Sequence, residues 1–171
     1  MVVDFTWRGW WTSLHGVVLG ATFLLLLIVT FTALIRLQST ALTPEGVRVR
    51  LRWLKRGLLL MMLVGWTAIA LGTFVIDGWF NKHTAASPYT ILNASGWWAW
   101  QERVMEWKER ISWVSVVLAS VAVYLVFYYD RQLADDRRAR SLVLSLYTVA
   151  LSAGSIAGVM GVLLAKLVPL R

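Results

Sequence analysis

The sequence predicts an all-α integral membrane protein: a four-span antiparallel transmembrane helical bundle whose long third helix projects on the outer side. Three observations carry this. The chain contains four long apolar runs without charge in their middles, the signature of membrane-spanning helices. Its hydrophobic fraction is 58% and its charged fraction 15%, against ~25% charged in soluble domains; the mean hydropathy is +0.65. Residues 96–129 read as one unbroken helix with two solvents, charged and tryptophan-rich up to Arg110 and apolar or small from Ile111 to Tyr129. At ~1.5 Å per residue that helix would be ~50 Å long against a ~30 Å hydrocarbon core, so it is expected to cross and stand out.

The elements follow in order, as a single transmembrane domain over residues 1–171. The first span covers about 10–35, carries His15 as its only ionisable side chain and stops at Arg36. It lacks a basic leader and a cleavage site and is read as a retained span. Residues 37–52 read as a loop, with Thr43-Pro44-Glu45-Gly46 as a turn signal. The second span covers about 53–76. Residues 77–110 form an outer loop and helix stem; Pro88 and the small polar residues around it exclude a span, and Ser95 is a candidate N-cap. The third span is 111–129, and 130–140 is a short charged connection. The fourth span is about 141–165.

Loop charge orients the bundle. Arg36, Arg48, Arg50, Arg52, Lys55, Arg56, Arg131, Arg137, Arg138 and Arg140 fall on one side, while the basic residues of the other side are fewer and spread over two tails and a longer segment. The positive-inside rule then puts both termini on the outer side, the periplasm for a bacterial inner membrane. Nine of the eleven tryptophans fall on that outer side, all but Trp53 and Trp66. A net charge of +8 distributed in this way is an orientation signal, and no basic nucleic-acid module accompanies it. The absence of cysteine excludes disulfides, thiolate metal sites and thioether-linked haem.

Three features are candidates for function. His15 sits just inside the first span beside Gly16. An imidazole there can ligate haem iron or a chlorophyll-type pigment, or hydrogen-bond a quinone carbonyl, and the glycine would let a flat ring approach. The bland reading is an interfacial histidine bonded to a carbonyl or hydroxyl. His83, in the outer loop, is the other histidine and the formal partner for a bis-histidine haem. The outer half of the third helix carries an apolar stripe through Trp97, Trp100, Val104, Trp107 and Ile111, with Glu102, Glu106 and Glu109 roughly opposite. It reads as an amphipathic stem or, functionally, as a partner-contact surface. In the fourth span Ser145, Thr148, Ser152 and Gly158 lie on a small, hydroxyl-rich seam, read as a close helix contact. No P-loop, nucleophile elbow, zinc-ligand cluster or dinucleotide fingerprint is present.

The function these features favour is an accessory, structural subunit of a larger respiratory or photosynthetic electron-transfer complex, without catalytic activity of its own. It would contact membrane lipid and other integral subunits, not nucleic acid, and flank a bound pigment, haem or quinone. The alternative is a small membrane redox protein ligating haem b through His15 with quinone as partner. A transporter is disfavoured by the lack of midplane charge.

Overall fold

In the computed structural model, which describes residues 7–37, 43–77, 90 and 98–167, the chain is helical, with no strand among the described residues. The first helix, α1, runs through Trp7–Ser13, a π-helical stretch Leu14–Gly20, and Ala21–Ile35. The second, α2, is Pro44–Leu71 and continues π-helically over Gly72–Asp77. Then come α3 (Trp98–Tyr129), the short α4 (Gln132–Asp135) and α5 (Arg137–Leu167). Four stretches are long and apolar enough to span a membrane: Gly9–Ile35, Pro44–Ile76, Glu102–Tyr129 and Arg137–Leu164. Residues 78–89 and 91–97, with His83 and Trp97, lie outside the described residues.

The start of α2 departs from the sequence expectation. Thr43-Pro44-Glu45-Gly46 is not a turn within a loop but the first turn of a helix. Thr43 is extended, and its hydroxyl oxygen accepts from the Gly46 N–H at 3.2 Å. Proline at the first helical position has no N–H to leave unmet, and Glu45 adds an acid to the first turn. The basic run Arg48–Arg52 therefore rides on helix.

The four long helices close a ring of neighbours: α1 on α2, α2 on α3, α3 on α5, and α5 back on α1. Each turns one face inward. On α1 this is Phe23, Leu27, Thr30 and Leu34; on α2 it is Val47, Leu51, Leu54, Leu58, Met61, Gly65 and Ile69, at the three-and-four spacing that stacks side chains on one helix face. Thr30 is buried without an unmet hydrogen because its hydroxyl donates to the Leu26 carbonyl at 2.6 Å. Tyr147 of α5 is fully buried at the centre, its hydroxyl 3.7 Å from the Met61 sulfur. The α3–α5 pair is the most extensive. Small buried residues on both sides help it close, Ser115, Ala119 and Ala122 on α3 and Ala150, Ala153 and Ala157 on α5. The Ser115 hydroxyl donates across to the Ala150 carbonyl at 2.7 Å, a bond that only close backbones allow. Outward faces are apolar, as lipid requires: Leu25, Val29, Leu63, Val121, Ile156 and Val159 are exposed.

Residues of three connections meet at one end. Asp130 leaves α3 with φ 45°, the left-handed region that aspartate tolerates better than most residues, and its carboxylate pairs with Lys55. Asp136 caps α5 by accepting from the Arg138 and Ala139 N–H groups. From the first turn of α5, Arg140 Nη1 reaches the carbonyls of Leu37, Leu133 and Ala134 at 3.2, 3.1 and 3.1 Å. Chain ends that would otherwise present unmet carbonyls are thus tied together.

Candidate functional site

At the opposite end the helices part around a cavity of about 870 Å³, open to one side. That volume is of the order of small-molecule sites generally. Glycines make the room: Gly16 and Gly20 of α1, Gly65 of α2, and Gly154, Gly158 and Gly161 of α5 all line it. A Cβ added at Gly16 would meet nothing within 4 Å. Apolar side chains form most of the wall, and its polar side chains are Thr12, Ser13 and His15 of α1, Lys108, Ser112 and Ser115 of α3, and Ser155 of α5.

His15 lies in one π-helical stretch and its ring meets the first residue of another. It belongs to Leu14–Gly20 of α1, and it packs where Gly72–Asp77 of α2 begins. Such stretches are uncommon and frequent at functional sites. The His15 Nδ1 lies 2.9 Å from the Ala68 carbonyl oxygen. A carbonyl only accepts, so in the neutral ring Nδ1 carries the hydrogen and Nε2 keeps a lone pair. Among the described residues no hydrogen bond engages Nε2. Gly72 forms the seat: a Cβ there would stand 2.8 Å from His15 Cε1. Gly72 on the neighbouring helix thus makes room for the imidazole itself, and Gly16, beside it in sequence, faces the open cavity. The expected bond from His15 to a quinone carbonyl also changes sign, because the one N–H of the neutral ring is already engaged.

Beside the ring a recess of about 30 Å³, large enough for about one water, is lined by His15, Thr73, Lys108, Glu109, Ser112 and Trp113. Of the three glutamates predicted to share a face, Glu109 alone reaches the site. Glu102 and Glu106 are exposed, and Glu106 lies 3.7 Å from Arg110 one turn on. Of the tryptophan stripe, Trp107 turns away and is 59% exposed, while the inward face of α3 runs through Met105, Lys108, Ser112 and Ser115. Trp97 lies outside the described residues, as does the Trp100 side chain. Lys108 lines the cavity with its stem against α5, its Cε 3.4 Å from a Cβ added at Gly161.

The hydroxyl-rich seam of α5 does not pack within the chain. Ser145, Thr148 and Ser152 are exposed, and the Ser145 and Thr148 hydroxyls donate to the Ser141 and Leu144 carbonyls of their own helix, both at 2.9 Å. That local bond removes the penalty for facing lipid. The neighbouring stripe, Tyr147, Ala150, Ala153 and Ala157, is the one turned inward. Gly158 lies at the cavity edge, where an added Cβ would make an ordinary 3.5 Å contact with Leu24. The close glycines are instead Gly154, 2.9 Å from Ser115 Oγ, and Gly65, 2.7 Å from the Phe23 ring.

No group of three histidine, cysteine, aspartate or glutamate side chains that could hold a metal occurs among the described residues. His15 is the one described imidazole, and His83, its formal partner for a haem, lies outside them. Comparison with protein-family models, with curated proteins and with solved structures finds no match to this chain.

Proposed function

We propose that this chain is an accessory integral-membrane subunit of a respiratory or photosynthetic electron-transfer complex, holding a quinone-type amphiphile in the cavity at His15. In that reading the four spans form an antiparallel bundle in a bacterial inner membrane. Both termini are on the outer side, and α3 stands out of the membrane there. The chain has no catalytic activity of its own. The exposed hydroxyl face of Ser145, Thr148 and Ser152, with Trp107, Glu102 and Glu106 on α3, meets other integral subunits.

The observation that carries the reading is the cavity itself: a large apolar space with a single seated imidazole at its polar end. Apolar walls with few convergent polar groups suit a ligand with an aliphatic tail and a small polar head. An ionisable side chain inside a span, held by a specific bond, is a functional candidate by default.

Solubilisation in mild detergent, mass spectrometry of the co-purifying proteins and lipids, and a visible spectrum test it. The expected result is other membrane subunits and a quinone-type lipid, without a haem Soret band. A Soret band lost in His15→Phe would replace this reading with the haem b protein. A chain that purifies alone, with no extractable amphiphile, would remove the subunit reading.

A further inference from the structure

Resting on the reading that the cavity holds an amphiphile, we propose that it selects a neutral hydroxyl head, the reduced hydroquinone form in preference to the quinone. The argument is one of hydrogen-bond polarity. Three polar side chains of the wall have their hydrogens engaged in protein bonds: His15 Nδ1–H on the Ala68 carbonyl at 2.9 Å, Ser112 Oγ–H on the Lys108 carbonyl at 2.7 Å, and Ser115 Oγ–H on the Ala150 carbonyl at 2.7 Å. Ser115 is 1% exposed and spent within the wall, so what the set presents to a ligand is the lone pairs of His15 Nε2 and the Ser112 oxygen. A quinone head carries only acceptors, so against His15 and Ser112 lone pair would face lone pair. A hydroquinone head carries two O–H donors, one of which can satisfy His15 Nε2.

Lys108 does not reverse the preference. Its ammonium is a donor at the same cavity, and a carbonyl oxygen could accept from it. A hydroxyl oxygen accepts equally while its hydrogen goes to an acceptor. A hydroxyl head can therefore accept from a donor of the wall and still satisfy His15 Nε2, whereas a carbonyl head leaves Nε2 unmet whichever donor it finds. Most polar side chains of the cavity wall belong to the start of α1 (Thr12, Ser13, His15) or the inward face of α3 (Lys108, Ser112, Ser115), with Ser155 on α5, and the rest of the wall is largely apolar, as a tail requires.

The test is equilibrium binding to the full chain in lipid nanodiscs. The probes are a tritiated decyl benzohydroquinone kept reduced with ascorbate and the same molecule as quinone. The expected result is a roughly 10-fold tighter hydroquinone, the scale set by one acceptor left without a donor. Equal binding of the two forms, or a tighter quinone, overturns the inference and leaves the cavity reading standing. Binding of neither overturns both. Competition separates the sources of the hydroxyl. Displacement by a long-chain alkanol as effective as unlabelled hydroquinone keeps the hydroxyl chemistry but assigns it to an aliphatic alcohol. Stronger displacement by phosphatidic acid would show an anionic head bound through Lys108 and overturn the proposal. His15→Phe should bring the two redox forms within about 2-fold of each other. Ser112→Ala, which keeps the imidazole, should retain most of the preference. Should His15→Phe not fold, the wild-type comparison decides alone.

Discussion

The Nδ1 of His15 and the carbonyl oxygen of Ala68 are 2.9 Å apart, joining a π-helical turn of α1 to the point where α2 itself becomes π-helical. That bond fixes the ring, its tautomer and the polarity of the cavity end. Its dependence on Gly72 makes it testable without touching the histidine.

Gly72→Ala places a methyl 2.8 Å from His15 Cε1 and should push the ring from its seat. Loss of the Ala68 bond predicts a fall of ~1 kcal/mol in stability and weaker hydroquinone binding. Gly16→Ala, whose added carbon meets nothing within 4 Å, should melt like the wild type. If the two variants behave alike in melting and in binding, the seat has no role.

Close packing should be felt at Gly65 and not at Gly158. A methyl at Gly65 meets the Phe23 ring at 2.7 Å, whereas one at Gly158 makes an ordinary contact with Leu24. Gly65→Ala should cost ~1–3 kcal/mol, the usual range for overpacking, and Gly158→Ala close to nothing. Unfolding in mixed micelles with increasing SDS measures both. The reverse order would contradict the ring of helix neighbours described above.

Arg140 holds three carbonyls from two different connections. Arg140→Ala should destabilise by ~1–3 kcal/mol through acceptors left unmet. Arg138→Ala, on an exposed side chain whose backbone N–H alone does the capping, should be near neutral. Equal melting of the two would show that water replaces the guanidinium without loss.

Orientation is tested by single cysteines, which need no prior removal because the chain has none. Cysteines at Ser39 and Ser95 should label from opposite faces of intact cells, Ser95 from outside. Both labelling from one face would contradict four spans; the reversed pattern would contradict the orientation.

How much of this was legible in the sequence differs between fold and site. Long uncharged runs bounded by Arg36, Lys55 and Asp130 identify spans because the bilayer is an unforgiving solvent for charge. The unbroken α3 was legible for the same reason. Thr43-Pro44-Glu45 was misread as a turn although it is equally an N-cap followed by an N1 proline, and only the helix beyond it decides which. His15 stood out as an ionisable group in a span. Gly72, Lys108, Ser112 and Ser115 did not, because their meaning lies in which face of α2 or α3 turns inward. On α5 both the hydroxyl stripe and the alanine stripe are small enough to pack. Size alone does not choose between them; Tyr147, too large to share the α3 contact unless centred on Met61, does so in the folded bundle.

The most direct test of the central claim, a ligand-holding cavity at His15, is native mass spectrometry of the chain released from its own membranes. Gly16→Leu should put an isobutyl group into the ligand space, its Cβ meeting nothing within 4 Å, and His15→Phe should remove the polar anchor while keeping the ring. The account predicts one amphiphile retained per wild-type chain and lost in both variants, with their melting unchanged by more than ~1 kcal/mol. The same bound species at the same stoichiometry in all three proteins would contradict it.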